Sequence, residues 1–398
     1  MGDFIKILIV HNYYKQSGGE DKVVNEEINL LRKNGNKVIT FFVKNEEINT
    51  DSFLEKIKLG IDTLWSNKSY REIKRILLKE KPDLVHFHNT VPLLSPSVYY
   101  ACENLKIPVI QTLHNYRLAC PSAMLLRDGE VCEKCIEGSL LNSLKYGCYR
   151  NSRIQTLPIS SMLFTHRLLD TWNSRVDKYI ALTNFAKNKF REIGIDENRI
   201  NVKPNFINQN ISKEVIIKEN RIVFVGRISK EKGVHLLLEA WNNLSPKIEW
   251  KLDIIGDGPL LNKFRSEYGQ IDNIQFHGLL KDYNVLDHMA KAKYVIIPSV
   301  WYEGFPMTIV ESYSVNTPVI SSNIGSLKEI VNNGITGFHF DNNDISSLEK
   351  VLQKALTYSN YQTMQKNVKH EFESKYTSEV NYKMLINTYK EVIKERKK

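Results

Sequence analysis

Residues 221–241 read RIVFVGRISKEKGVHLLLEAW. A β-branched and aromatic run stops at Gly226, a basic turn follows, and from Val234 the apolar residues recur with helical spacing. The stretch is a strand, a turn and a helix. Its strand is almost continuously apolar rather than alternating, as expected of a parallel sheet covered on both faces. The pattern recurs along the chain. Before it come IKILIV (5–10), KVITFFV (37–43), DLVHFH (83–88), PVIQTLH (108–114) and KYIAL (178–182). After it come WKLDIIG (250–256), IQFHG (274–278), YVIIPS (294–299) and PVISS (318–322). Segments such as EDKVVNEEINLLRKNG (20–35) separate the runs with helical spacing.

A chain of 398 residues exceeds one ordinary core, so two domains are expected. We place a first doubly wound α/β domain at 1–205 and a second at 206–375. The polar stretch 205–220 reads as the linker, and 376–398 as a final amphipathic helix. The formal charge is +10, and residues 1–205 hold 30 basic against 23 acidic side chains. Such a surface suits phosphorylated ligands, anionic lipid or nucleic acid. No nucleic-acid-binding module accompanies the charge, so nucleic acid is not an expected partner. The start MGDFIKILIV lacks the pattern of a secretory leader, and no apolar run reaches membrane-spanning length. A Met-Gly start suits myristoylation, but the sixth residue is Lys6 rather than Ser or Thr. The expected location is the cytoplasm, touching the inner face of the plasma membrane.

Doubly wound sheets bind ligands beyond the carboxyl ends of their strands. The residues just after each run are therefore the candidates. After the first run, Gly18 and Gly19 allow close backbone approach, and the next helix offers amides to an anion. Glu20 either caps that helix or meets a substrate. His86 reads as a core residue, whereas His88 and His114 close neighbouring strands, with Asn115 beside them. Arg227 and Lys232 suit a diphosphate, one as a planar fork and the other as a compact charge. In SVWYEGFPMTIVES (299–312), Pro306 suits a first helical turn. The amides near Gly304, Phe305, Pro306, Met307 and Thr308 could seat a diphosphate. Glu303 stands before that helix and Glu311 about one turn inside it, so each can accept from a sugar or ribose hydroxyl.

Taken in order, Gly18-Gly19-Glu20, TLHN (112–115), VGRISKEKG (225–233) and EGFPMTIVE (303–311) resemble the family 4 retaining glycosyltransferases. That resemblance spans nearly the whole chain. It implies a GT-B fold, in which two Rossmann-like domains face a central cleft and the last helix crosses back to the first domain. It implies a nucleotide-sugar donor, UDP- or GDP-linked, and a glycan or lipid-linked acceptor of the kind found in bacterial surface polysaccharide synthesis. Arg227 and Lys232 would hold the diphosphate, Glu303 the donor sugar and Glu311 the ribose. Gly19 would face the donor phosphate, and His114 would lie near the reacting sugar. Glu20, His88 and Asn115 are the acceptor-side candidates. Retention is usually assigned to a front-face path, so Glu303 is not read as a nucleophile. The family often carries Asn-Gly-Val-Asp where this chain has Asn205-Phe206-Ile207-Asn208. Two other readings remain: a nucleotide-sugar 2-epimerase on the same fold, and a non-catalytic partner that binds nucleotide sugar or glycan.

Cys120, Cys132, Cys135 and Cys148 fall in one loop-rich insertion, 116–150, while Cys102 stands apart. Disulfides are not expected in the cytosol. The spacing suits either a structural zinc or reduced thiols. No cofactor is expected for catalysis, since the second domain has no Asp-x-Asp pair. The stretch YRNSRIQTLPISSMLFTHRLLDTW (149–172) mixes arginines with apolar residues and suits an anionic membrane surface.

Overall fold

A computed structural model describes residues 4–15, 18–48, 52–208, 216–245 and 249–396. Residues 209–215 of the expected linker lie outside the described residues. The chain forms two compact units. One comprises 1–125, 132–204 and 378–398; the other comprises 126–131 and 205–377.

The first unit is built on a parallel sheet. In chain order its strands are β1 (Lys6–Tyr13), β2 (Lys37–Lys44), β3 (Leu84–Phe87) and β4 (Val109–Leu113). A small hairpin, β5 (Leu126–Arg127) and β6 (Glu130–Val131), then interrupts the sequence. The sheet resumes with β7 (Lys178–Ala181) and β8 (Ile200–Val202), in the spatial order β2-β1-β3-β4-β7-β8. Ile7 and Ile9 of β1, Leu84, Ile110 and Ile180 pack on Val24, Ile28 and Leu31 of the helix Gly19–Lys33. The final helix, Ser378–Arg396, adds Leu385, Tyr389 and Val392 to the same core.

Polar contacts also fix that helix within this unit. The Tyr389 hydroxyl lies 2.7 Å from His86 Nδ1. Lys178 pairs with Glu391 at 2.8 Å, and Arg396 with Asp177 at 2.9 Å. His86 is the satisfied core residue its mid-strand position implies, with its other nitrogen 2.8 Å from Thr112.

The second unit carries β9 (Glu219–Val225), β10 (Lys251–Ile255), β11 (Ile274–Gly278), β12 (Ala292–Ile297), β13 (Val319–Ser322) and β14 (Gly337–Phe340). Their spatial order is β11-β10-β9-β12-β13-β14. This is the Rossmann order, whose strand sequence reverses between β9 and β12. Side chains of one strand serve opposite faces. Tyr294 and Ile296 of β12 join a core with Phe224, Trp241 and Leu252. Val295 and Ile297 join another with Ile309, Val310 and Tyr313. Burying each such large side chain contributes about 1.5–3 kcal/mol. Both faces are thus apolar, which explains the unbroken character of these strands.

Candidate active site

In the second unit the chain reverses its strand order beside the ends of β9 and β12, and the singled-out residues gather there. Gly226 closes β9 and the exposed Arg227 follows it. A 3₁₀ turn, Lys230–Lys232, then leads into the helix Val234–Leu244. Gly233 joins the two with φ +68, and a Cβ there would fall 1.8 Å from the Pro298 carbonyl oxygen. Glycine therefore lets the Lys232 turn close onto the residues after β12. The Val300 N–H donates to the Glu231 carbonyl at 3.0 Å and fixes the two loops together. Gly256, after β10, has the same role toward Gly226, whose carbonyl would lie 1.9 Å from an added Cβ.

This closure brings Lys232 Nζ to 2.7 Å from Glu303 Oε1. Glu303 is buried, and the same oxygen accepts from the Ser299 hydroxyl at 2.7 Å. Lys232 also lies 5.7 Å from the centre of the Trp301 ring. Ammonium and carboxylate thus orient one another at the strand ends. Pro306 precedes the helix Met307–Ser314, so Met307 and Thr308 form its first turn and Glu311 lies one turn in. Phe305 packs on the core beneath, and the Gly304 carbonyl accepts from Ser326 at 3.4 Å. Carboxylates before and inside the helix flank amides at its positive end.

The first unit forms its own polar cluster at its strand ends. Gly18 and Gly19 are exposed at the start of the helix Gly19–Lys33. Asp21, not Glu20, caps this helix, accepting the Gly18 N–H at 3.2 Å. Asp21 also holds His11, with Oδ1 to Nε2 at 2.7 Å. Glu20 instead accepts from the Tyr14 hydroxyl at 3.1 Å and from Asn115 Nδ2 at 3.5 Å. Burial pushes the Glu20 carboxyl up to about 7, against the opposing pull of His11.

His88 and His114 follow neighbouring strands and meet, with Nδ1 of one 2.9 Å from Nε2 of the other. Burial lowers both imidazoles, His114 to about 3. They are therefore neutral near pH 7, and one donates to the other. Beneath them Glu27 Oε1 lies 3.2 Å from His86 and 3.5 Å from His88. Its Oε2 lies 3.1 Å from Lys203 Nζ. Burial favours the neutral acid, but Lys203 and His86 outweigh it and hold the carboxyl well below its usual range.

Glu27, Lys203 and Asp21 were not among the residues the sequence singled out. Nor were Asp253, His277 and His288, whose ligating atoms converge in the second unit. Glu27, His86 and His88 form a comparable group. Each group already holds a cation: Lys203 pairs with Glu27, and Arg221 with Asp253.

The profile described as glycosyl transferases group 1 matches residues 207–371, and that described as glycosyltransferase family 4 matches 17–210. An uncharacterized glycosyltransferase of Methanocaldococcus jannaschii is 28% identical, over 94% of this chain and 95% of its own. The Escherichia coli UDP-Gal:alpha-D-GlcNAc-diphosphoundecaprenol alpha-1,3-galactosyltransferase is also 28% identical, over 80% of this chain and 78% of its own. A crystal structure of an Anabaena protein in complex with UDP superposes with TM-score 0.68 at 15% identity, covering 97% of this chain and all of that one. The two parallel sheets accordingly belong to a two-domain GT-B fold. With both profiles matched in order, this chain is a member of the group 1, family 4 glycosyltransferases.

Proposed function

We propose that the chain transfers a sugar, with retention, from a UDP-sugar to a glycan carried on a polyprenyl diphosphate, as a step in bacterial surface polysaccharide synthesis. The observation that carries this reading is the Lys232–Glu303 pair at the reversal point of the second sheet. Lys232 and Arg227 receive the diphosphate and stabilise the charge that develops on it as the glycosidic bond breaks. Glu303 accepts from a donor-sugar hydroxyl and Glu311 from the ribose. The electron pair of the broken bond stays on the diphosphate oxygen. The acceptor oxygen bonds the anomeric carbon from the same face, and its proton passes to the departing diphosphate. His114, neutral through burial, can take part in hydrogen bonding without adding a charge, which suits the role the family resemblance implies for it. Glu20, Asn115 and His88 line the acceptor side.

The donor nucleotide is supported by the UDP in the Anabaena complex and by the UDP-Gal in the Escherichia coli relative's name. The same relative's diphosphoundecaprenol acceptor supports the lipid carrier. So does an apolar face in the first unit. On the helix Arg153–Leu168, Ile154, Leu157, Phe164 and Leu168 form one exposed stripe. Leu54, Ile57 and Ile61 expose another on Phe53–Leu64, where Gly60 lies against Pro158. Residues 138–169 hold four basic side chains and no acidic one, which suits an anionic inner membrane leaflet. No helix among the described residues is long and apolar enough to cross a membrane.

The test is incubation with UDP-sugars and a polyprenyl-diphosphate-linked sugar acceptor, with the anomer of the product read by NMR. The product should keep the donor's configuration, and Glu303→Ala should abolish transfer while leaving the melting temperature unchanged. Inversion, or full activity of that variant, would remove the reading.

A further inference from the structure

We propose that Cys120, Cys132, Cys135 and Cys148 bind one structural zinc ion that staples the insertion between β4 and the helix Arg153–Leu168.

This segment has little regular structure. Its regular structure is the hairpin β5–β6 and the six-residue helix Leu141–Tyr146. Ala123, Leu125, Asp128, Arg150 and Asn151 all have left-handed φ angles, between 49° and 67°. For residues with a Cβ that conformation costs about 1–2 kcal/mol each. It persists only where the surroundings over-determine it.

Hydrogen bonds tie together the stretches that carry the four cysteines. The Cys120 N–H donates to the Tyr116 carbonyl at 2.8 Å, and the Cys120 carbonyl accepts from Ala123 at 2.8 Å. Two residues further, the Leu125 carbonyl accepts the Cys132 N–H at 2.8 Å. Cys132 and Cys135 bracket a turn in which the Glu133 carbonyl accepts from Ile136 at 2.8 Å and Glu137 at 3.0 Å. The buried Ser143 ties in the remaining cysteine. Its carbonyl accepts the Cys148 N–H at 3.0 Å, and the neighbouring Asn142 Nδ2 donates to the Lys134 carbonyl at 2.9 Å, beside Cys135. The Cys120 sulfur lies 3.1 Å from the Ser122 hydroxyl, the kind of outer-shell contact that steadies a metal thiolate. Cys120 and Cys135 are buried, and no cysteine is disulfide-bonded.

Four soft donors of one kind, two of them in a Cys-x-x-Cys turn, match tetrahedral zinc. They differ from the two carboxylate–histidine groups, which hold Lys203 and Arg221 as internal cations. Among the described residues no three cysteine sulfurs lie within 4.8 Å of one another. Binding therefore draws them inward, to Zn–S distances of about 2.3 Å. Four thiol protons leave to solvent and a zinc tetrathiolate of net charge −2 forms. Arg167 Nη2 donates to the Leu118 carbonyl at 2.9 Å, two residues before Cys120, which sets a positive charge beside this segment.

The experiment is metal analysis of the whole chain purified under reducing conditions without chelator, then X-ray absorption at the zinc edge. About one zinc per chain with four sulfur neighbours near 2.3 Å is expected. Cys135→Ser and Cys148→Ser should lose the zinc, and Cys102→Ala should retain it. Thiol titration of the wild type should show four thiols protected until a chelator is added. Disulfides among these cysteines, iron in place of zinc, or a metal-free wild type that takes up no added zinc would each overturn the proposal. None of these readouts depends on sugar transfer.

Discussion

Lys203→Met tests the buried network under the paired histidines. Lys203 and Glu27 are each 1% exposed, so no water replaces a lost partner. Lys203 Nζ lies 3.1 Å from Glu27 Oε2 and 3.1 Å from Asn381 Oδ1. Methionine keeps the length of the side chain and removes the charge. The carboxylate of Glu27 is then stranded, and breaking such a pair costs about 3–5 kcal/mol. The pH dependence has a definite sign. In the wild type the Glu27 carboxyl is depressed below 4.5. Its stabilisation is therefore full above that value and lost as pH falls through the folded value. In Lys203→Met burial prevails and the carboxyl rises instead, so the variant loses stability as pH increases above 4.5. The gap between the two proteins should widen from about pH 5 to about pH 8. Adding Glu27→Gln to Lys203→Met removes the stranded charge and should recover most of the loss. Urea unfolding of the four proteins of this cycle, followed by far-ultraviolet circular dichroism, measures it. A loss below about 1 kcal/mol at about pH 8, or a gap that does not change with pH, would refute the reasoning.

Three further variants extend these tests. Glu20 has a raised carboxyl, so its contribution to stability is full below 4.5 and lost as pH rises to about 7. Glu20→Gln should gain up to about 3 kcal/mol over the wild type at about pH 8 and little at about pH 4, measured by melting across pH. Gly233→Ala and Gly334→Ala both enter left-handed backbone, but only the first also meets a carbonyl oxygen. Gly334→Ala should cost about 1–2 kcal/mol and Gly233→Ala clearly more, with donor affinity falling only in the latter.

The sequence made the central strands readable because both faces of each sheet are apolar. β1, β3 and β4, and β9, β10 and β12, coincide with the runs read from composition. Of the two six-stranded sheets, the strands not singled out, β8 (Ile200–Val202) and β14 (Gly337–Phe340), are sheet-edge strands of three and four residues. Runs so short give no periodicity to read. The donor-side candidates were legible because each follows a strand directly, and Lys232 and Glu303 do converge. Their direct pairing was not legible, since 71 residues separate them and it depends on the Gly233 approach to Pro298 and the Val300–Glu231 backbone bond, which leave no local sequence signal. The Glu27–Lys203 pair left no local signal. Glu27 sits among the other acids of its helix, and its partner is 176 residues away. Glu20 was read as a cap or a substrate contact, and the choice fell to Asp21 through a single hydrogen bond to the Gly18 N–H.

The most direct test of the account is calorimetric titration of UDP into the wild type and into Lys232→Met. The account predicts saturable binding to the wild type and a loss of about 10- to 100-fold in affinity for the variant, the worth of one charge-assisted hydrogen bond. No heat of binding with folded wild type, or equal affinity in the two proteins, would contradict a donor site built on Lys232 and Glu303.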